Sequence, residues 1–305
     1  MVQIGMDEEL IEKHMEAYEV GMELKMPAPD PMSMMHLYQP MSFPRQKAGR
    51  FEIITETSEV FEITDVSHAV LLGVDPITLS WGQPIDFHIL IGDGGGVMTS
   101  DKPDEIYIQY IAFHNMYGRV LVGGLGLGMA ANMIAAMPDV SSVTVIEKEP
   151  DIIRLVDDNL HPKVNVIEAD LFEHVKQLTA GSYDSAYYDV WYSTSRREWA
   201  ASVVPLYRTS RRLGIDTLGA WGEHEMVAQL APALYMQAML DESASTLRSF
   251  WVLIQGLKKE LGGKPPYSTR DKNRIRELIR LYLYKVGTPD WERIFPWDDY
   301  EQVAG

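Results

Sequence analysis

At 305 residues, with 46% hydrophobic and 23% charged side chains, the chain has a globular composition with room for one large domain and an accessory piece. It contains no cysteine, which excludes disulfides, thiolate metal sites and a thiol nucleophile. A formal net charge of −17 opposes general binding to phosphate backbones, so a nucleic-acid partner is not expected.

No apolar run reaches the roughly 18 residues of a membrane span, and the first residues, MVQIGMDEEL, are acidic. Neither a membrane segment nor a signal peptide is therefore expected, and the expected residence is cytoplasmic. Residues 7–25 place Leu10, Ile11, Met15, Tyr18 and Met22 at helical spacing. Such a helix fits packing on its own domain or on a second copy in a homodimer. Pro27, Pro29 and Pro31 then predict an extended linker.

From Gly49 the pattern changes to alternation. Phe51–Glu56 and Val60–Asp65 read as a hairpin joined by Thr57-Ser-Glu. His68–Val74 and Ile85–Ile91 add strands, so a small antiparallel β unit is expected. His68 and His88 alternate with apolar neighbours and read as sheet-surface residues, because no carboxylate–histidine pair has ligand spacing. No metal site is predicted. Gly92-Asp-Gly-Gly-Gly96 lacks the lysine of a phosphate loop and reads as a flexible hairpin turn.

The stretch RVLVGGLGLGMAANMIAAM, residues 119–137, joins a buried strand (Val120–Val122), a glycine turn (Gly123, Gly124, Gly126, Gly128) and an Ala/Met-rich helix. That order is the first βα unit of a nucleotide-binding α/β sheet. A second run, Val143–Ile146, ends on Glu147 and Lys148, about 20 positions after the glycines. An acid at that place accepts hydrogen bonds from ribose hydroxyls. A third run, Val164–Ile167, leads to Asp170 and Leu171, and a fourth, Ser185–Tyr188, leads to Asp189, Trp191 and Tyr192. Polar residues thus recur at the strand ends where open α/β sheets bind ligands. A helix follows through 199–212, and Leu213–Gly219 reads as a fifth strand. Residues 223–261 and a last segment to Lys285 are helical by pattern.

Gly126-Leu-Gly128-Met-Ala-Ala131 also fits a dinucleotide G-x-G-x-x-G/A, which leaves NAD as a competing ligand. The spacing Gly124-x-Gly126-x-Gly128, however, resembles motif I of class I S-adenosylmethionine-dependent methyltransferases. That resemblance implies S-adenosylmethionine as cofactor, with Glu147 on the ribose, Asp170 on the adenine amine and Leu171 beside the ring. Gly123, Gly124, Gly126, Gly128, Lys148 and Trp191 complete the expected cofactor set. Asp189 is then expected near the reacting centre, as catalyst and cofactor contact, with Trp191 and Tyr192 walling the pocket.

Upstream, Asp104-Glu-Ile-Tyr107-Ile-Gln109-Tyr-Ile-Ala-Phe-His114 resembles the DEFxYHEMLAH segment of spermidine synthases. The resemblance spans roughly residues 50–215 and makes Tyr107 a candidate site residue. It implies an α/β fold: a Rossmann-like class I methyltransferase sheet with a small N-terminal antiparallel β domain and a helical C-terminal extension. Boundaries follow as 1–48 for the N-terminal extension and linker, 49–115 for the β domain, and 116–305 for the S-adenosylmethionine-binding domain with its extension. Three positions depart from that family. Gly126 stands at an Asp, Gln109 at an amine-binding carboxylate, and Asp189-Val-Trp-Tyr-Ser193 at the Asp-Ser/Thr-Ser/Thr-Asp-Pro loop. A diamine needs carboxylates to hold its ammonium groups. Methyl transfer to a small-molecule or protein acceptor is therefore the leading expectation. Aminopropyl transfer from decarboxylated S-adenosylmethionine is the alternative, and a non-catalytic scaffold is the third reading.

Overall fold

The structure is a computed structural model, and the described residues are 36–39, 41–58, 61–64, 78–81, 84–190 and 196–223. The expected helices at 7–25, 223–261 and up to Lys285, the linker prolines and the strand at His68–Val74 lie outside them.

The larger sheet is built on β7 (Gly118–Gly123), where Val120, Leu121 and Val122 are fully buried. A strand covered on both faces has no polar side to alternate, so a continuous apolar run is its signature. Each such side chain contributes on the order of 1.5–3 kcal/mol on burial. β8 (Val140–Glu147) and β9 (Val164–Glu168) follow on one side of β7. β10 (Ser185–Tyr188) and β11 (Thr217–Ala220) lie on the other, giving a five-stranded parallel sheet in the order β11-β10-β7-β8-β9. The chain thus moves outward from β7 first to one edge and then to the other. The reversal opens a crevice between β7 and β10 at the strand C-termini. Mixed α/β architecture with this sheet is consistent with a Rossmann-like fold.

Helices cover both faces. α1 (Pro103–Phe113) has Pro at its N-terminus and Asp104 and Glu105 in the first turn, both favourable there. It lies on the face that carries Tyr187, whose ring meets Phe113 edge-on at 5.5 Å. α2 (Met129–Ala136), α3 (Pro150–Val156) and α4 (Leu171–His174) connect the successive strands. α5 (Arg196–Arg212) covers the opposite face, where Tyr207 meets Tyr188 at 6.2 Å.

A second, antiparallel sheet precedes α1 in the order β1-β2-β5-β6, comprising Lys47–Ala48, Phe51–Ser58, Ile85–Ile91 and Val97–Ser100. The expected hairpin between Phe51–Glu56 and Val60–Asp65 does not form. β2 runs on to Ser58 and pairs with β5 over its whole length, while β3 (Phe61–Thr64) pairs with β4 (Thr78–Trp81). Alternation identifies a strand but does not select its neighbour. The Gly92–Gly96 segment is a turn between β5 and β6, closed by Gly92 N–H donating to Gly96 O at 2.9 Å. His88 on β5 is held by Asp101, whose carboxylate also accepts from the Tyr38 hydroxyl. That three-way contact ties the segment before β1 to β5 and to the residue that follows β6.

Gly219 sets how closely α1 approaches the sheet. A Cβ there would run into the carbonyl oxygen of Ala112. Gly219→Ala should lower stability by about 1–3 kcal/mol through overpacking, read as a lower urea midpoint with an unchanged slope.

Candidate active site

The glycine turn leaves β7 at the crevice. Gly124 N–H donates to Ile146 O at 3.0 Å, and Asp189 N–H donates to Gly123 O at 2.8 Å. Gly124 has φ +89°, and a Cβ would collide with the Asp189 carbonyl. Only glycine serves where the backbone turns left-handed this close to another chain segment.

Glu147 fastens this turn from the side. Its Oε2 accepts from Leu125 N–H at 2.9 Å, and its Oε1 accepts from Glu149 N–H at 2.9 Å. Only 7% of the residue is exposed. A carboxylate has about four acceptor positions, so two remain for a ligand's hydroxyls. Glu147 is therefore part of the turn's framework, where its strand-tip place in the sequence suggested a purely ligand-facing role.

The turn and the ends of β8, β9 and β10 border an open cleft of about 120 Å³. Gly124 and Gly126 line it, as do Glu147 and Lys148 after β8, Asp170 and Leu171 after β9, and Asp189 after β10. Asp170 Oδ1 caps α4 by accepting from Glu173 N–H at 3.0 Å. Four carboxylates (Glu147, Glu149, Asp170, Asp189) face the cleft with one cation, Lys148. Its far wall comes from the other sheet, where β6 brings Met98 and Thr99 over the glycine turn.

At the edge of the cleft, Asp189 is half-buried and feels the charge of Glu105 on α1. Burial pushes its carboxyl up to about 8, with the charges of Glu105 and Glu147 adding to the rise. Glu105 is held in place by Trp221 Nε1–H at 2.9 Å and Gln109 Nε2–H at 3.2 Å, both donating to its Oε1. Acids from β8, β10 and α1 thus converge at the β7–β10 crevice.

Seven predicted residues come together here: Gly124, Gly126, Glu147, Lys148, Asp170, Leu171 and Asp189. Gly123 and Gly128 do not line the cleft, and Gly128 lies against Val156 and Leu160. Tyr107 is not brought to it either. It is 4% exposed and packs in the core with Ile106 and Tyr110. Trp191 and Tyr192 lie outside the described residues. Met98 and Thr99 belong to the Val97–Asp101 stretch that the family resemblance places at the border of the substrate cavity, and both line this cleft. The Glu105–Trp221 contact does not follow from position on a strand tip and was not foreseen. Among the described residues no group of His, Asp and Glu is placed to hold a metal ion, and no helix is long and apolar enough to cross a membrane.

No family model and no curated protein matches the chain. Solved structures similar to it include a probable spermidine synthase from Corynebacterium glutamicum, at 18% identity and TM-score 0.35, covering 44% of this chain and 55% of that one. The chain thus spans about half the length of that enzyme. A spermidine synthase from Thermotoga maritima is similar at 14% identity and TM-score 0.35, covering 57% and 67%. A spermidine synthase in complex with the transition state analogue AdoDATO is similar at 12% and 0.35, covering 60% and 69%.

Two outcomes follow from the acids. Glu147→Gln replaces one acceptor oxygen by an NH2 group, so one of the two backbone N–H groups loses its partner. Stability should fall by about 1–3 kcal/mol in urea unfolding. For Asp189, the folded chain binds a proton that the unfolded chain has released, from about pH 4 to about pH 8. Its stabilising contribution is therefore complete below that window, falls as pH rises through it, and levels off above. Asp189→Asn should flatten this fall in melting temperature measured between about pH 5 and pH 9; a parallel profile would place the titration elsewhere.

Proposed function

We propose that the chain is a transferase that moves an aminopropyl group from an S-adenosyl sulfonium donor to an amine. The observation that carries this reading is the convergence of Asp189, Glu105 and Glu147 from β10, α1 and β8. Sequence comparison leaves this site short of carboxylates. Glu105, fixed by Trp221 and Gln109, adds a second one beside Asp189 from the preceding helix.

Charge favours the donor without a carboxylate. Decarboxylated S-adenosylmethionine carries a sulfonium and an ammonium, and a cleft with four acids and one lysine attracts both. The carboxylate of S-adenosylmethionine meets repulsion there. In the residues' roles, Glu147 holds the ribose hydroxyls with its remaining acceptor positions, Asp170 the adenine amine, and Leu171 one face of the ring. The donor supplies an electrophilic carbon and a thioether leaving group. Asp189 orients the amine behind that carbon and takes the proton the nitrogen sheds as the C–N bond forms and the C–S bond breaks. A carboxyl raised towards neutrality suits that exchange.

Methyl transfer from S-adenosylmethionine is the second reading, favoured by Gly126, where the turn offers backbone N–H groups and no carboxylate. Calorimetry separates the two. Decarboxylated S-adenosylmethionine should bind in the micromolar range, about −7 to −9 kcal/mol, and tighter than S-adenosylmethionine. Chromatography of diamine mixtures should show the aminopropylated product. The opposite order of affinity with methylated amine would overturn the first reading in favour of the second, and binding of neither donor would sink both.

A further inference from the structure

We infer that the hydroxyl of Tyr187 donates a hydrogen bond to the Asp189 carboxylate when that group is ionised, making Tyr187 a positioning residue that readies Asp189 for the acceptor. The inference rests on the amine-transfer reading for its function, though not for its geometry.

Tyr187 and Asp189 are two apart on β10, and the ladder continues past the strand's end through Asp189 N–H on Gly123 O. Their side chains therefore project from the same face, the one covered by α1. α1 runs opposite to the sheet: its Ala112 lies over Gly219 and its Glu105 bonds Trp221, two residues nearer the crevice. Gly219 is the register partner of Tyr187. The Tyr187 ring thus starts beside Phe113, and its hydroxyl feels the charges of Asp189 and Glu105 together.

That hydroxyl is fully buried and has no hydrogen-bond partner. Its neighbour on the opposite face shows the usual arrangement, with Tyr188 OH 2.6 Å from Ser210 Oγ. A buried hydroxyl without a partner is costly, so a state of the site that supplies one is favoured. Burial, Asp189 and Glu105 all push the Tyr187 phenol well above its ordinary range, so it stays protonated as a donor. Among the described residues, the other charged groups facing Asp189 are Glu105 from α1 and Glu147 from β8, with Lys148, Glu149 and Asp170 around the cleft and Glu223 beyond β11 engaged by Tyr207. While Asp189 holds a proton it has little need of a donor. Once a cationic acceptor stabilises the ionised form, that proton passes to solvent, and the carboxylate takes the Tyr187 hydrogen bond and holds one orientation. A hydrogen bond to the ionised form favours ionisation.

Tyr187→Phe removes the oxygen alone. Carbon-13 NMR of the Asp189 carboxyl in the full chain should show its titration midpoint rising by about one pH unit. Amine transfer should fall about tenfold near neutrality and recover in more alkaline solution, where Asp189 ionises without help. Melting temperature should hold or rise, because the lost oxygen had no partner. An unchanged Asp189 midpoint overturns the inference, as does a loss of activity that is equal at every pH and accompanied by a lower melting temperature. If wild-type protein transfers nothing to any amine, the functional reading fails, and the NMR midpoint still decides whether Tyr187 acts on Asp189.

Discussion

The site depends on one carboxylate. Glu147 joins two backbone N–H groups, that of Leu125 in the glycine turn and that of Glu149 just beyond β8, and so fixes the glycine turn to the tip of β8. Such bonds from N–H to an ionised acceptor are stronger than neutral ones, and their number keeps this acid in place. Fixing a charge here has a cost for its neighbours. Asp189 sits across the crevice, and the charges of Glu147 and Glu105 disfavour its ionised form. One structural tie therefore also adds to the proton affinity that burial gives Asp189.

The parallel sheet was legible because burial on both faces leaves its strands as plain apolar runs. β7, β8, β9 and β10 lie where Val120–Val122, Val143–Ile146, Val164–Ile167 and Ser185–Tyr188 suggested. β11 is displaced from the expected Leu213–Gly219 to Thr217–Ala220, since Leu213 and Gly214 close the end of α5. α1 was not read as a helix at all. Ile106, Tyr107, Gln109, Tyr110, Ile111, Ala112 and Phe113 are all buried, so the helix shows neither a polar stripe nor alternation. The same fact explains Tyr107: position in a family-like segment suggested a site, while packing on all sides of α1 placed the ring in the core.

Site residues divided along a similar line. Glu147, Asp170 and Asp189 follow from a single rule, that acids at strand C-termini meet in the crevice of an open sheet. Met98, Thr99, Glu105 and Trp221 require knowing which separate elements touch. β6 reaches the glycine turn only because β5 and β6 form a hairpin whose partner is β2, and the sequence pattern gave β2 a different neighbour. By pattern alone, a mispaired strand hides whatever its true partners carry to the site.

The position of Glu105 bears on how an amine would be held. An acid on a loop finds its ligand by moving, and pays side-chain entropy when it stops. Glu105 sits in the first turn of a buried helix with its Oε1 already fixed by an indole and an amide. The helix N-terminus favours its negative charge, and the two donors favour it again. Asp189, by contrast, is disfavoured as an anion by burial and by the acids around it. Two carboxyls facing one crevice are thus given opposite tendencies. Glu105 is held in one orientation by its donors, whereas Asp189 keeps a proton against the charges around it.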